Sequence, residues 1–130
     1  MKQTIARISV LVPDYDVALA FYRDALGFDL IEDTDMGGGR RWVLVRPKGA
    51  LETALLLVKT ADETEAAFVG RQTAGRVAFF LHTDDFARDH AAMQAAGVTF
   101  HEAPRVEPYG TIAIFADPFG NLWDLMQPAG

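Results

Sequence analysis

Cysteine is absent from the 130-residue chain, which excludes disulfides and thiolate chemistry and makes a cytoplasmic location the expectation. Basic runs are absent too. With a formal net charge of −6, this argues against nucleic acid or an anionic membrane surface as partner. No apolar stretch approaches the roughly 20 residues of a membrane-spanning helix, and the opening MKQTIARISV lacks the apolar segment of a signal peptide. What the chain does have is hydrophobic residues, half of the total, enough for the core of one domain.

Those residues are arranged twice over. Ile5 to Val12 is rich in β-branched side chains and stops at Pro13, as a strand would. Asp14 is a plausible N-cap for a helix over Tyr15 to Leu26, with Ala18, Phe21, Tyr22 and Ala25 on one stripe and Gly27 as its stop. Strands follow at 28–33, 41–46 and 54–59, the first two joined by the Gly37-Gly38-Gly39 turn. After a charged helical linker over 62–69 the pattern restarts. It gives a strand at 76–82, a helix capped by Asp84 or Asp85 and ending before Gly97, and strands at 98–102, 111–115 and 122–127. Asp14 to Gly27 and Asp84 to Gly97 are both separations of 13 positions.

The expected fold is therefore α+β: two βαβββ modules, about 1–60 and 75–130, in a single domain of 1–130. One helix covers only one face of a four-stranded sheet, so the other face needs a second half, another subunit or a ligand. Two such faces would enclose a cleft suited to a small molecule.

Within the last strand, LWDLMQ, an acid sits among apolar residues. A carboxylate taken out of water needs a cation, a metal or several hydrogen bonds, so Asp124 is the first candidate functional residue.

The stretches ISVLVPDYDVALAFYRDALGFDLIED, HTDDFARDHAAMQAAGVTF and IAIFADPFGNLWDLMQP resemble the vicinal-oxygen-chelate superfamily of glyoxalases, bleomycin-resistance proteins and extradiol dioxygenases. The resemblance covers essentially the whole chain. It implies the two-module fold around a central cleft and a homodimer, for which strand edges, Trp123 and Leu125 would supply surface. It does not imply one reaction, because the scaffold hosts isomerisation, ring cleavage, epoxide opening and ligand sequestration.

Metal-dependent members draw ligands from a His on the first strand, a Glu on the fourth, a His or Gln opening the second half and a Glu on the last strand. Carried over by register, these positions hold Arg7, Leu56, Arg76 and Asp124. Arginine stays protonated and has no lone pair to offer, so the resemblance implies a degenerate site with no metal and no cofactor. His82 shares the parity of Arg76 but lies roughly 20 Å further along the strand. His90 and His101 have no ligand-like spacing and are read as surface or satisfied polar residues, and Glu52 as a solvated loop acid.

Arg7 and Arg76 open equivalent strands, and both are expected to project toward Asp124. Two readings stay open: an ion triad filling an inherited hole, or a net cationic site that binds an anion. Alternation across RRWVLV and RVAFFLH places Trp42 and Phe80 in the cleft, with ordinary core packing as the alternative for Trp42. Tyr109, by family position, is a candidate contact at the cleft mouth. Trp123 has the opposite parity and should pack against a helix or a partner subunit. The expected function is a binding protein for an anionic or aromatic small molecule. The alternative is a glyoxalase-like lyase or isomerase, or a dioxygenase-related enzyme, with Asp124 as base.

Overall fold

Strand β1 (Arg7–Val12) forms from the β-branched run before Pro13, and Asp14 then caps helix α1 (Tyr15–Leu19) by accepting from the Val17 amide at 2.9 Å. In the computed structural model, which describes residues 1–130, the chain divides into two units, Met1–Val69 and Gly70–Gly130. The linker stays with the first unit, where a single helical turn, α2 (Glu63–Ala66), lies near β1.

Helix α1 does not run on as α-helix to Leu26. Ala20–Ala25 is π-helical, with the Leu26 amide donating to the Phe21 carbonyl five residues back and the Phe28 amide to that of Tyr22. The wider turn keeps Phe21 and Tyr22 both buried, their rings edge to face at 5.0 Å. Periodicity marks such a segment as helical but cannot show the change of pitch.

Strands β2 (Asp29–Gly37), β3 (Arg40–Arg46) and β4 (Ala54–Lys59) complete the first sheet in the order β1-β4-β3-β2. β1 pairs parallel with β4, and the other pairs are antiparallel. Gly37, Gly38 and Gly39 all adopt positive φ, which lets β2 run directly into a tight hairpin and extends it past the expected Asp33. Val10, Val12, Val43, Val45, Leu55 and Leu57 are buried on the face that α1 covers.

The second unit repeats the order. Strand β5 (Val77–His82) pairs parallel with β9 (Leu122–Pro128), which lies beside β8 (Gly110–Ala116), itself bordered by β6 (Thr99–Phe100). Helix α3 (Phe86–Ala95) is capped by Asp85, which accepts from the Arg88 amide, while Asp84 pairs with the Arg88 guanidinium. An additional strand, β7 (Arg105–Glu107), pairs with β8. Pro104 and Pro108 bracket it and supply no amide donors, so the expected strand at 98–102 is cut to two residues and its continuation shifts to β7.

The hairpin between β8 and β9 is held by Asp117. Its Oδ1 accepts from the amides of Phe119 (2.9 Å) and Asn121 (2.8 Å), and its Oδ2 from Asn121 Nδ2 at 2.7 Å. Behind the sheet, on the side of α3, aromatic rings pack in sequence. Phe79 meets Trp123 at 4.5 Å, Trp123 stacks on Phe115, and Phe100 and Phe86 flank His90.

Candidate functional site

In β9 the side chains alternate. Trp123 and Leu125 are buried among the aromatic residues on the helix side, whereas Leu122, Asp124 and Met126 lie on the helix-free face. Trp123 and Leu125 are therefore core residues of their own unit and offer no surface to a second subunit, which removes that basis for a dimer.

Asp124 lies directly opposite Phe80 of β5 and Ile114 of β8. It is only 8% exposed, yet Phe80 beside it is 66% exposed, so an apolar surface borders a carboxyl that water scarcely reaches. Asp124 makes no ion pair within 4 Å, and its Oδ1 is buried without a hydrogen-bond partner. Burial pushes its carboxyl above the usual aspartate range. The positive field of Arg105 opposes the shift and the negative field of Glu102 adds to it.

Arg105 was not evident in the sequence. On β7 it sits opposite Ile112, which is opposite Met126, and this register places it on the same face as Asp124. Its guanidinium is held by Glu102 at 2.6 Å and Glu107 at 3.2 Å, and the Tyr109 side chain acts on it as well. These partners raise its already high pKa further. The available signal was the Glu-x-x-Arg-x-Glu spacing at 102–107, obscured because a three-residue strand between prolines reads as loop.

Arg76 precedes β5 and is exposed; its carbonyl accepts from Thr73 Oγ1 at 2.8 Å. A bulge between Val77 and Phe79 pairs Val77 with Leu122 and Phe80 with Asp124. Unbroken alternation from Arg76 to Phe80 therefore does not hold, and Arg76 makes no ion pair with Asp124. Tyr109, half exposed just before β8, belongs with Arg105 and is thereby linked to the Asp124 face.

In the first unit, Arg7, Leu56, Leu44 and Trp42 occupy the helix-free face, since Arg7 opposes Ala54, and Leu56 opposes both Ser9 and Leu44. The Arg7 guanidinium lies 5.6 Å from the Trp42 ring centroid, a cation–π contact. The opposite face has its own charged group at the β2–β3 hairpin. There Arg41 binds Asp33 at 2.7 Å and Asp16 at 2.9 Å and lies over the Tyr15 ring.

The donor set does not fit a divalent ion. Nowhere do three His, Cys, Asp or Glu side chains converge. His82 and His101 are exposed, and Glu52 lies outside β4. His90 departs from its expected surface place, since it is half-buried between Phe86 and Phe100 at 5.3 and 4.4 Å, its Nε2 without a partner.

A duplicated strand–helix–three-strand unit with one helix per sheet and an open opposite face defines the vicinal-oxygen-chelate class. Residues 4–125 match the Glyoxalase/Bleomycin resistance protein/Dioxygenase superfamily, and the chain belongs to it. It is 48% identical to an uncharacterized protein of Shewanella frigidimarina (strain NCIMB 400) over 98% of this chain and 95% of that one. Among solved structures it resembles UcmS2 with a TM-score of 0.83 at 32% identity, covering 97% of this chain and 98% of that one. It also resembles TnmS3, an antibiotic binding protein from Streptomyces sp. CB03234, with a TM-score of 0.78 at 36% identity over 98% of each chain.

Proposed function

We propose that this protein binds a small molecule on the helix-free faces of its sheets without the help of a metal ion, as a cytoplasmic homodimer. The observation that carries the reading is Asp124. A buried carboxyl whose Oδ1 has no partner, beside an exposed phenylalanine, is a costly arrangement for a surface with no ligand. A ligand that stacks on Phe80 and hydrogen-bonds Oδ1 removes that cost. Arg105, fixed by Glu102 and Glu107, and Tyr109 border the same surface. Trp42 and Arg7 offer an aromatic plane and a cation in the first unit, and Arg76 is retained as a candidate contact. The likeness to an antibiotic binding protein supports binding over turnover. The dimer rests on β2, an edge strand exposed throughout with Leu30, Ile31 and Met36 among its exposed residues.

The raised pKa of Asp124 favours a second reading, in which this carboxylate takes a proton from a bound carbon acid and Arg105 faces the developing negative charge. Both readings are tested by screening aromatic antibiotics and simple carbonyl compounds by calorimetry against wild-type protein and Asp124→Asn, with product analysis of each mixture. Binding without turnover that weakens in the variant supports the first reading. Turnover abolished in the variant supports the second. Stoichiometric zinc, nickel, iron or manganese in protein purified without an affinity tag overturns metal independence, and a monomer in light scattering overturns the dimer.

A further inference from the structure

The first sheet carries a second arginine that neither sequence parity nor family position singled out. Arg46 ends β3, and on the same face Leu44 opposes Leu56 of β4 while Arg7 opposes Ala54. Continuing that register by one residue brings Arg46 beside Ala54, so Arg7, Ala54 and Arg46 form one row across three strands. The outer two backbones are two strand spacings, roughly 10 Å, apart. Ala54, only 5% exposed, lies between the two cationic residues.

Neither arginine has an anionic partner. No ion pair or side-chain hydrogen bond reaches either one; Arg7 has only the Trp42 ring, and Arg46 Nε is buried with nothing to donate to. The neighbouring acids do not fill the gap. Asp29 opposes Arg46 across β2 without pairing with it, and Glu32 accepts instead from Thr34 Oγ1 at 2.9 Å. This contrasts with Arg23, Arg41, Arg88 and Arg105, each of which is matched by carboxylates.

We infer that Arg46, with Arg7, forms a binding site for the carboxylate or phosphate end of a ligand whose aromatic part lies on Trp42. The proposal rests on the small-molecule reading above and specifies its chemistry: an aromatic acid, held by charge-assisted hydrogen bonds from the Arg46 guanidinium. The guanidinium fork matches a carboxylate or a phosphate, and an aromatic amide of the same shape lacks the charge to fill it.

The test is a titration of the intact protein with 2-naphthoate and with its uncharged isostere 2-naphthamide, followed by NMR of the arginine Nε–H resonances and by calorimetry. The expected result is a saturable shift of the Arg46 Nε–H signal with naphthoate alone. Naphthoate should bind about tenfold or more tighter than naphthamide, a preference that Arg46→Met removes and Arg46→Lys keeps in part. Equal affinities with the Arg46 signal unmoved overturn the acid site while leaving the small-molecule reading intact. Naphthoate binding that survives Arg46→Met but is lost in Asp124→Asn also overturns it and assigns the acid to the other face. Failure of both compounds to bind at millimolar concentration overturns the acid site as well as its aromatic surface on Trp42.

Discussion

Replacing Asp124 with leucine should stabilise the protein at neutral pH. The side chain is 8% exposed, Oδ1 has no partner, and its flanking residues across the sheet are Phe80 and Ile114. An unsatisfied buried polar group costs roughly 1–3 kcal/mol, and a leucine of similar reach removes that cost while adding apolar burial. Asp124→Leu is therefore expected to gain about 1–3 kcal/mol at pH 8. The pH dependence gives the sign independently. A carboxyl whose folded pKa is raised holds its proton more tightly folded than unfolded. The penalty is thus absent below the unfolded value near 3.8, grows as pH rises through the folded pKa and is complete above it. The gain from Asp124→Leu should accordingly shrink toward pH 4. Arg105→Met removes the positive field that holds the shift down, so it should steepen the fall in wild-type stability with pH. Urea denaturation at pH 4, 6 and 8 for the two single variants and the double variant reads these terms. A loss of 3–5 kcal/mol for Asp124→Leu, the usual cost of breaking one partner out of a buried ion pair, would refute the reasoning and show a carboxylate clamped by cations.

Arg41→Met should cost about 1 kcal/mol, since its pairs with Asp33 and Asp16 are partly exposed. Because Arg41 depresses the Asp33 pKa, that cost should begin to shrink below pH 3.8 and decline further as pH falls through the lowered folded pKa, as read from urea midpoints at pH 7 and 3. Asp85→Ala should destabilise by roughly 1 kcal/mol through loss of the α3 cap, whereas Asp84→Ala, an exposed partner of Arg88, should stay within about 0.5 kcal/mol. Gly110→Ala should cost roughly 1–3 kcal/mol in thermal or urea denaturation, because at φ 153° a Cβ would overlap the Gln127 carbonyl.

Much of the fold was legible in the chain because its signals are local. Pro13 and Asp14 separate strand from helix, Gly27 and Gly97 stop the helical segments, and Asp117 with Asn121 closes its own hairpin. The duplication follows from these signals occurring twice at equal spacing, and it sets the strand order shared by the two sheets. Strand parity likewise placed Asp124 away from Trp123, and Trp42 on the face of Arg7.

Electrostatic partners depend on register and on residues far apart in the chain, which alternation alone does not specify. One extra residue between Val77 and Phe79 changes which side chain shares a face with Asp124, and nothing in RVAFFLH marks the bulge. Arg105 acts on Asp124 only because β7 joins the edge of β8, a pairing too short to leave a periodic trace. Arg46 stands out only once β3 is laid against β4 and β2, where Asp29 lies opposite it without forming an ion pair and Glu32 accepts from Thr34. The sequence alone determined most of the elements, their duplication and the buried acid. The tertiary structure decided which charges meet, because a field falls off with distance through space rather than along the chain.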